Sequence, residues 1–232
     1  MLHWQSTART GKVISFDAVR QGRSGQSVNG MIDMMGAYMS FDRNAEIFGE
    51  GEPADYLYKV VSGAVRISKL MSDGRRQIGA FYLPGNIFGL EAEDAHHFSA
   101  EAIVDSSMLV VKRSALLAEV TRDGALAAQL WTETMTHLQR AQDHMLLLGR
   151  KNAQERIAAF LLDMAARLSR QGAVELPMCR QDIADYLGLT IETVSRTLTQ
   201  LERDGIISIP VSRRILLRDP AALGVMNDCL AA

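Results

Sequence analysis

From Ala127 to Leu148 the residues Ala127, Trp131, Thr134, Leu138, Ala141, Met145 and Leu148 recur at spacings that alternate between four and three. That is a heptad seam sustained over three repeats, and it predicts a long helix from about Asp123 whose stripe suits contact between two copies of the chain. The alternative is an amphipathic helix laid on the chain's own β-domain. Upstream, between about Ala45 and Lys112, the apolar period shortens to that of strands. Tyr56–Val61, Ala64–Leu70, Gln77–Tyr82 and Ser107–Val111 read as short β runs, punctuated by glycines and by the hairpin signal Asp73-Gly74. Many short strands with turn signals between them predict an antiparallel roll or sandwich. Met31 to Tyr38 reads as a short helix, and residues 1–28 as a polar, partly disordered, flexible arm.

After the long helix, Ile183, Ala184 and Leu187 share one face of a short helix, and Gly188 supplies the permissive backbone of a tight inter-helix turn. Thr190 stands where an N-cap oxygen is wanted and Glu192 where the helix dipole favours an anion. Val194, Leu198 and Leu201 then form a buried stripe, which leaves Glu192, Ser195, Arg196 and Thr199 on the other side. This is a helix-turn-helix pattern whose second helix suits the DNA major groove. Arg196 matches the acceptors of guanine, Glu192 accepts from a cytosine amine, and Ile191 packs on a thymine methyl. The plainer reading makes Glu192 and Arg196 an i,i+4 ion pair on a solvated face. Ile206–Ile209 and Ile215–Leu217 flank a basic tip with Arg213 and Arg214, a strand pair that reads as the wing of a winged helix with both arginines beside phosphate.

The chain's 232 residues and 47% hydrophobic content allow two modest domains. The expected divisions are an arm (1–28), a β-roll (29–122), a dimerisation helix (123–150) and a winged helix-turn-helix (151–232), an α+β protein. The net charge of −2 makes no argument for nucleic acid, and from Lys151 onward ten basic residues balance ten acidic ones. Affinity for DNA must therefore come from local placement of Arg180, Arg196, Arg213 and Arg214. Two cysteines, Cys179 and Cys229, make no disulfide framework; no apolar run reaches membrane-spanning length, and no signal peptide is visible. A reduced cytoplasmic setting is expected. The histidines His3, His96, His97, His137 and His144 are scattered, so no catalytic constellation forms. The adjacent His96 and His97 in an acidic stretch read as solvated rather than as metal ligands.

Three segments together, Asp55–Val65, Leu83–Gly89 and Gln181–Arg196, resemble the Crp/Fnr superfamily of bacterial transcription regulators over residues from about 30 to 220. The resemblance implies a cyclic-nucleotide-binding-like jelly roll, a dimerisation helix lined by Trp131, Thr134, Leu138, Ala141, Met145 and Leu148, and a homodimer on palindromic promoter DNA with RNA polymerase as partner. Glu192, Ser195 and Arg196 match the Glu-x-x-Ser-Arg pattern of the Fnr and FixK branches, which implies a TTGA-N6-TCAA-like site. Thr190 and Thr193 fall at the family's phosphate-contacting positions, with Arg180, Gln181, Arg213 and Arg214 alongside.

Family members that bind cyclic nucleotides follow Phe-Gly with a Glu and an Arg-Ser/Thr pair. This chain has Phe88-Gly89-Leu90-Glu91 but no Arg or Lys between Arg76 and Lys112, so a bound phosphate would face only acids. Residues 1–178 contain no cysteine, which removes thiolate ligation of an iron–sulfur cluster. The remaining pattern resembles the FixK-like branch, with no cofactor, no cyclic nucleotide and a role in micro-oxic respiration; the alternative is a regulator gated by a small ligand or cyclic nucleotide. Cys179, just before Arg180 and a helix N-terminus, is expected to form thiolate readily and to act as a redox brake on DNA binding. The bland alternative is a small half-buried residue packing beside Met178.

Overall fold

A computed structural model describes residues 12–13, 27–168 and 173–228. The expected N-terminal arm, apart from Lys12, Val13, Ser27 and Val28, lies outside the described residues, as does Cys229. The first of these pieces, β1 (Lys12–Val13), pairs antiparallel with Ser40 and Met39.

Two antiparallel sheets make the β-roll. One runs in the order β1, β2 (Ala37–Phe41), β9 (Ser106–Lys112), β4 (Tyr56–Ser62), β7 (Ile87–Phe88); the other in the order β3 (Glu46–Phe48), β8 (Ser99–Ala102), β5 (Val65–Leu70), β6 (Arg76–Tyr82). Residues from both sheets meet in one core: Phe41, Phe48, Tyr58, Val60, Val65, Phe88, Ala100, Ala102 and Met108. Alternation decides which residues enter it, since every second side chain of a strand shares a face. Gly63, at φ +86°, makes the tight bend between β4 and β5; a Cβ there would lie 2.7 Å from the Asp105 carbonyl.

The four strand runs expected from the sequence all appear. The short partners β2, β3, β7 and β8 carry too few apolar alternations to stand out. Helix α1 spans Val28–Met35, capped by the Ser27 hydroxyl, which accepts from the Gly30 amide at 3.0 Å. It starts and stops three residues earlier than the sequence suggested, because Gly36 lies so close to Leu109 and the Ile32 carbonyl that the chain turns there into β2. Helix also begins before Asp123: α2 covers Arg113–Arg122, and Leu116 is fully buried. With α1 and Leu126 of α3 (Gly124–Arg150), it covers the outer face of the five-stranded sheet around Leu57, Ile87, Leu109 and Val111.

The described residues form two compact units. One takes those up to Lys69 together with Phe81–Met135; the other takes Leu70–Ala80 together with those from Thr136 onward. In the second, α4 (Ala153–Leu168) buries Ile157, Phe160, Leu161 and Met164. It is followed by β10 (Ala173–Glu175), α5 (Arg180–Leu187), α6 (Ile191–Arg203), β11 (Ile207–Val211), β12 (Arg214–Leu217) and α7 (Pro220–Asp228). The three strands pair antiparallel in the order β10, β12, β11. Among the described residues no helix is long and apolar enough to cross a membrane.

Candidate nucleic-acid interface

Helices α5 and α6 form the helix-turn-helix. Gly188 caps α5 in the left-handed conformation, φ +61° and ψ +40°, and its amide donates to the Ala184 carbonyl. Thr190 is the N-cap of α6: its hydroxyl accepts from the Thr193 amide at 3.2 Å. Val194, Thr197, Leu198 and Leu201 are buried, which fixes the opposite face of α6 outward. On that face Ile191, Glu192, Arg196 and Thr199 are exposed, while Thr193 and Ser195 are half-buried. No ion pair joins Glu192 to Arg196 among the described residues, so the i,i+4 pair that the spacing allowed is not formed and both groups are exposed to solvent.

Two arginines expected at phosphate are engaged in the free protein. Arg180 donates from Nη1 to the Ser195 hydroxyl at 3.1 Å, which pins the start of α5 to the middle of α6. Arg213 is half-buried and donates to the Pro177 carbonyl at 3.2 Å. Arg214, at the first position of β12, is exposed, and Val211 beside it is 65% exposed. Pro210 cannot donate to the ladder, and the β11–β12 register shifts between Ser208 and Val211. The ladder is therefore irregular at the wing tip, where Arg214 is exposed. Gln181 is exposed and donates to Asp185 at 2.6 Å.

Cys179 is the N-cap residue of α5 and is half-exposed. Its neighbourhood differs from the one expected. Its Sγ lies 3.1 Å from Asp182 Oδ2, which also accepts from the Cys179 amide at 3.2 Å, while the Arg180 guanidinium points to Ser195 instead. The thiol is a donor to a carboxylate, so the argument that Arg180 stabilises a thiolate does not apply here.

Several residues that position the reading helix escaped the sequence. Arg156 collects carbonyls at helix ends: Nε donates to Lys151 at 2.8 Å, Nη2 to Leu148 at 2.9 Å and Nη1 to Leu187 at 2.8 Å. It thereby ties the C-terminus of α3 to that of α5 and satisfies orphan carbonyls of both. His144 stacks on Tyr186 with ring centroids 4.0 Å apart, and its Nε2 is 2.8 Å from the Tyr186 carbonyl. Burial holds the His144 pKa below its usual range against the pull of the Tyr186 and Gly79 carbonyls. Burial, reinforced by Asp163, pushes the Tyr186 phenol up to about 12. Arg76, the first residue of β6, pairs with Asp182 and Asp185 of α5. No local spacing in the sequence singles these residues out.

Most of the seam positions on α3 are exposed. Trp131 is 66% exposed, Leu138 48% and Met145 64%, with Ala127, Thr134 and Ala141 also exposed and Leu148 half-buried. Leu126 and Leu147 are the buried apolar residues of α3.

In the β-roll, Phe88 stacks on Tyr58 and Tyr82 at centroid separations of 5.1 and 5.0 Å, and Phe48 makes tilted contacts with Tyr58 and Phe88 at 5.4 and 6.1 Å, so aromatic rings occupy the interior. Buried Arg66 is held by Glu101 at 2.8 Å. His96, expected to be solvated, is buried at 3% exposure: its ring lies 3.5 Å from that of Phe48 and its Nδ1 is 3.3 Å from Glu91. His97, its neighbour, projects outward. No group of three or more metal-ligating side chains forms among the described residues.

Comparison with known families and proteins agrees with this architecture. The Crp-like helix-turn-helix domain family matches residues 155–226, and the cyclic nucleotide-binding domain family matches residues 38–123. The chain is 56% identical over 198 residues to the nitrogen fixation regulation protein FixK of Azorhizobium caulinodans, covering 83% of this chain and 80% of that one. It is 39% identical over 216 residues to the transcriptional activatory protein AadR of Rhodopseudomonas palustris, covering 91% and 88%. The solved structure of FixK2 from Bradyrhizobium japonicum superposes with a TM-score of 0.81 at 52% identity, over 83% of this chain and 98% of that one.

Proposed function

Given that the chain belongs to the Crp/Fnr family of DNA-binding transcription regulators, in its FixK-like branch, we propose that it is a homodimeric activator of micro-oxic respiration genes that needs no bound effector. Two α3 helices pair through Trp131, Thr134, Leu138, Ala141, Met145 and Leu148. The paired helix-turn-helix units read a TTGA-N6-TCAA-like palindrome, since a two-fold protein calls for a two-fold site. Arg196 takes the guanine of each half-site, with Glu192, Ser195 and Ile191 on the neighbouring base edges. Arg180, Gln181, Thr190, Thr193, Arg213 and Arg214 take phosphates, Arg180 by exchanging Ser195 for a phosphate oxygen and thereby releasing Ser195 to the bases. RNA polymerase is the further partner, and the cytoplasm the place of action.

The observation that carries this reading is the outward, unpaired presentation of Glu192 and Arg196 on a capped and rigidly packed α6. Effector independence draws support from the roll: its buried cation is already neutralised by Glu101 and its interior is filled by rings. Selection of bound sequences from a random duplex pool tests the DNA reading, with a TTGA-N6-TCAA-like consensus expected from the protein alone. A consensus that emerges only when cyclic AMP, cyclic GMP or another small ligand is added overturns effector independence, and calorimetric titration with both nucleotides, expected to show no heat, checks it directly.

Cys179 gives this regulator a redox brake. Peroxide converts the thiol to sulfenic acid with release of water, which replaces the S–H donor by a bulkier S–O–H beside the Asp182 carboxylate. The added bulk crowds the N-cap of α5, and further oxidation by peroxide to the sulfinate adds an anion that repels Asp182 and opposes DNA phosphate. Cys179→Ser should retain operator binding after peroxide treatment while the parent loses it. Equal inactivation of the two contradicts the brake.

A further inference from the structure

One face of α5 is held from its first turn to its last by residues far away in sequence. Arg76 Nη2 lies 2.8 Å from Asp182 Oδ1 and 2.7 Å from Asp185 Oδ2, and its Nε donates to Asp185 Oδ2 at 2.8 Å. Asp182 is only 3% exposed at its side chain, and its second oxygen takes the Cys179 amide and thiol. Next to this clamp Gln77 Nε2 donates to the Tyr186 carbonyl at 3.3 Å, the same oxygen that His144 approaches. The segment that supplies Arg76 and Gln77 is itself shaped for the task. Gly74, at φ +83°, closes the turn, the Met71 amide donates to the Arg75 carbonyl at 2.8 Å, and Asp73 accepts from the Arg75 amide at 3.0 Å. Leu70–Ala80 belongs to the same compact unit as the helix-turn-helix.

We infer that Arg76 is a positioning residue for DNA binding: by bridging Asp182 and Asp185 it fixes α5, and through α5 and the Gly188 turn it sets the orientation of the reading helix α6. The chemistry requires a bridge of this kind. A carboxylate as buried as Asp182 is costly without a cation, because the low-polarity surroundings cannot replace its hydration. A guanidinium satisfies two carboxylates at once through its fixed fork, which an ammonium cannot do. Burial disfavours the charged guanidinium, yet Asp185 and Asp182 outweigh that and raise its pKa on balance. Without Arg76 the two acids, three residues apart on α5, repel one another, and the cheapest relief is to swing α5 toward water. Helix α6 packs against α5 and carries Ser195 bonded to Arg180, so it follows.

The test separates positioning from phosphate contact and from mere stability. Operator affinity is measured for full-length parent, Arg76→Gln, Asp185→Asn and the double variant, at several salt concentrations, below the onset of each variant's thermal melt. Arg76→Gln should weaken operator binding about tenfold, by the same factor on every single-base variant of the site, with the salt slope unchanged. Asp185→Asn should also weaken binding, although it removes a negative charge from a DNA-binding unit, and the double variant should lose less than the product of the two single losses. Hydrogen exchange of the α5 and α6 amides in free Arg76→Gln should accelerate while that of α4 does not. Parent-like affinity of Arg76→Gln overturns the inference, as does a salt slope reduced by about one charge, the mark of a phosphate contact. If Arg76→Gln does not fold, Asp185→Asn alone decides: weaker binding at unchanged slope supports the clamp, and parent-like or tighter binding removes it.

Discussion

Leu138→Glu is the substitution that most severely tests the α3 seam. In the single chain Leu138 is 48% exposed between Trp131 at 66% and Met145 at 64%, so its replacement should cost the isolated protomer almost nothing. In a dimer these side chains become buried. Full burial of a large apolar side chain is worth about 1.5–3 kcal/mol, so three half-exposed ones from each protomer contribute on the order of 6 kcal/mol. Removing both copies of Leu138 forfeits roughly 2 kcal/mol of that, and two facing carboxylates near the symmetry axis add a desolvation and repulsion cost of about 2 kcal/mol or more. A loss near 4 kcal/mol raises the dimer dissociation constant roughly a thousandfold. Sedimentation at micromolar concentration should show a dimeric parent and a monomeric variant with an unaltered thermal melt of the helix-turn-helix unit, and operator binding should be lost. A variant that stays dimeric at micromolar concentration would refute the reasoning and move the interface off this stripe.

Other consequences follow from single residues. Gly188→Ala keeps the space around the turn open, with Arg156 Nη1 and Leu148 Cδ2 each 3.4 Å from the added Cβ. It forces a left-handed alanine, so the melt should report a loss of about 1–2 kcal/mol. Thr190→Ala should cost about 0.5–2 kcal/mol through the lost N-cap, again read by thermal unfolding. His144 has a depressed folded-state pKa, so the unfolded chain binds its proton first. Its contribution is present in full above the reference value of 6.5 and erodes as pH falls from there toward the folded-state value; His144→Gln should flatten that part of the stability profile, and an unchanged slope would assign it to another group.

The helix-turn-helix was legible because its signals are local: a glycine that must adopt positive φ at 188, a hydroxyl cap at Thr190, and a stripe of Val194, Leu198 and Leu201 within one helix. The same holds for the Asp73-Gly74 turn and for the four longer strands. What stayed hidden depends on partners distant in the chain. Arg76 meets α5 across 106 residues, and Arg156 becomes a collector of carbonyls only once α3 and α5 end beside it. His96 and His97 look alike in the sequence, yet only the first lies against Phe48 while its neighbour remains exposed. The short strands β3 and β7 are specified by the sheets that receive them rather than by their own few residues. Cys179 illustrates the limit of proximity in sequence: Arg180 follows it directly, but the guanidinium turns to Ser195 and the sulfur to Asp182.

The central claim is that α6 reads sequence through Arg196, and competition binding against single-base variants of the TTGA half-site tests it most directly. The account predicts that Arg196→Ala loses about 1–3 kcal/mol on the parent site and with it most of the preference for guanine, while Arg214→Ala weakens all sequences alike and lowers the salt slope by about one. Full discrimination at the guanine by the Arg196→Ala protein would contradict it.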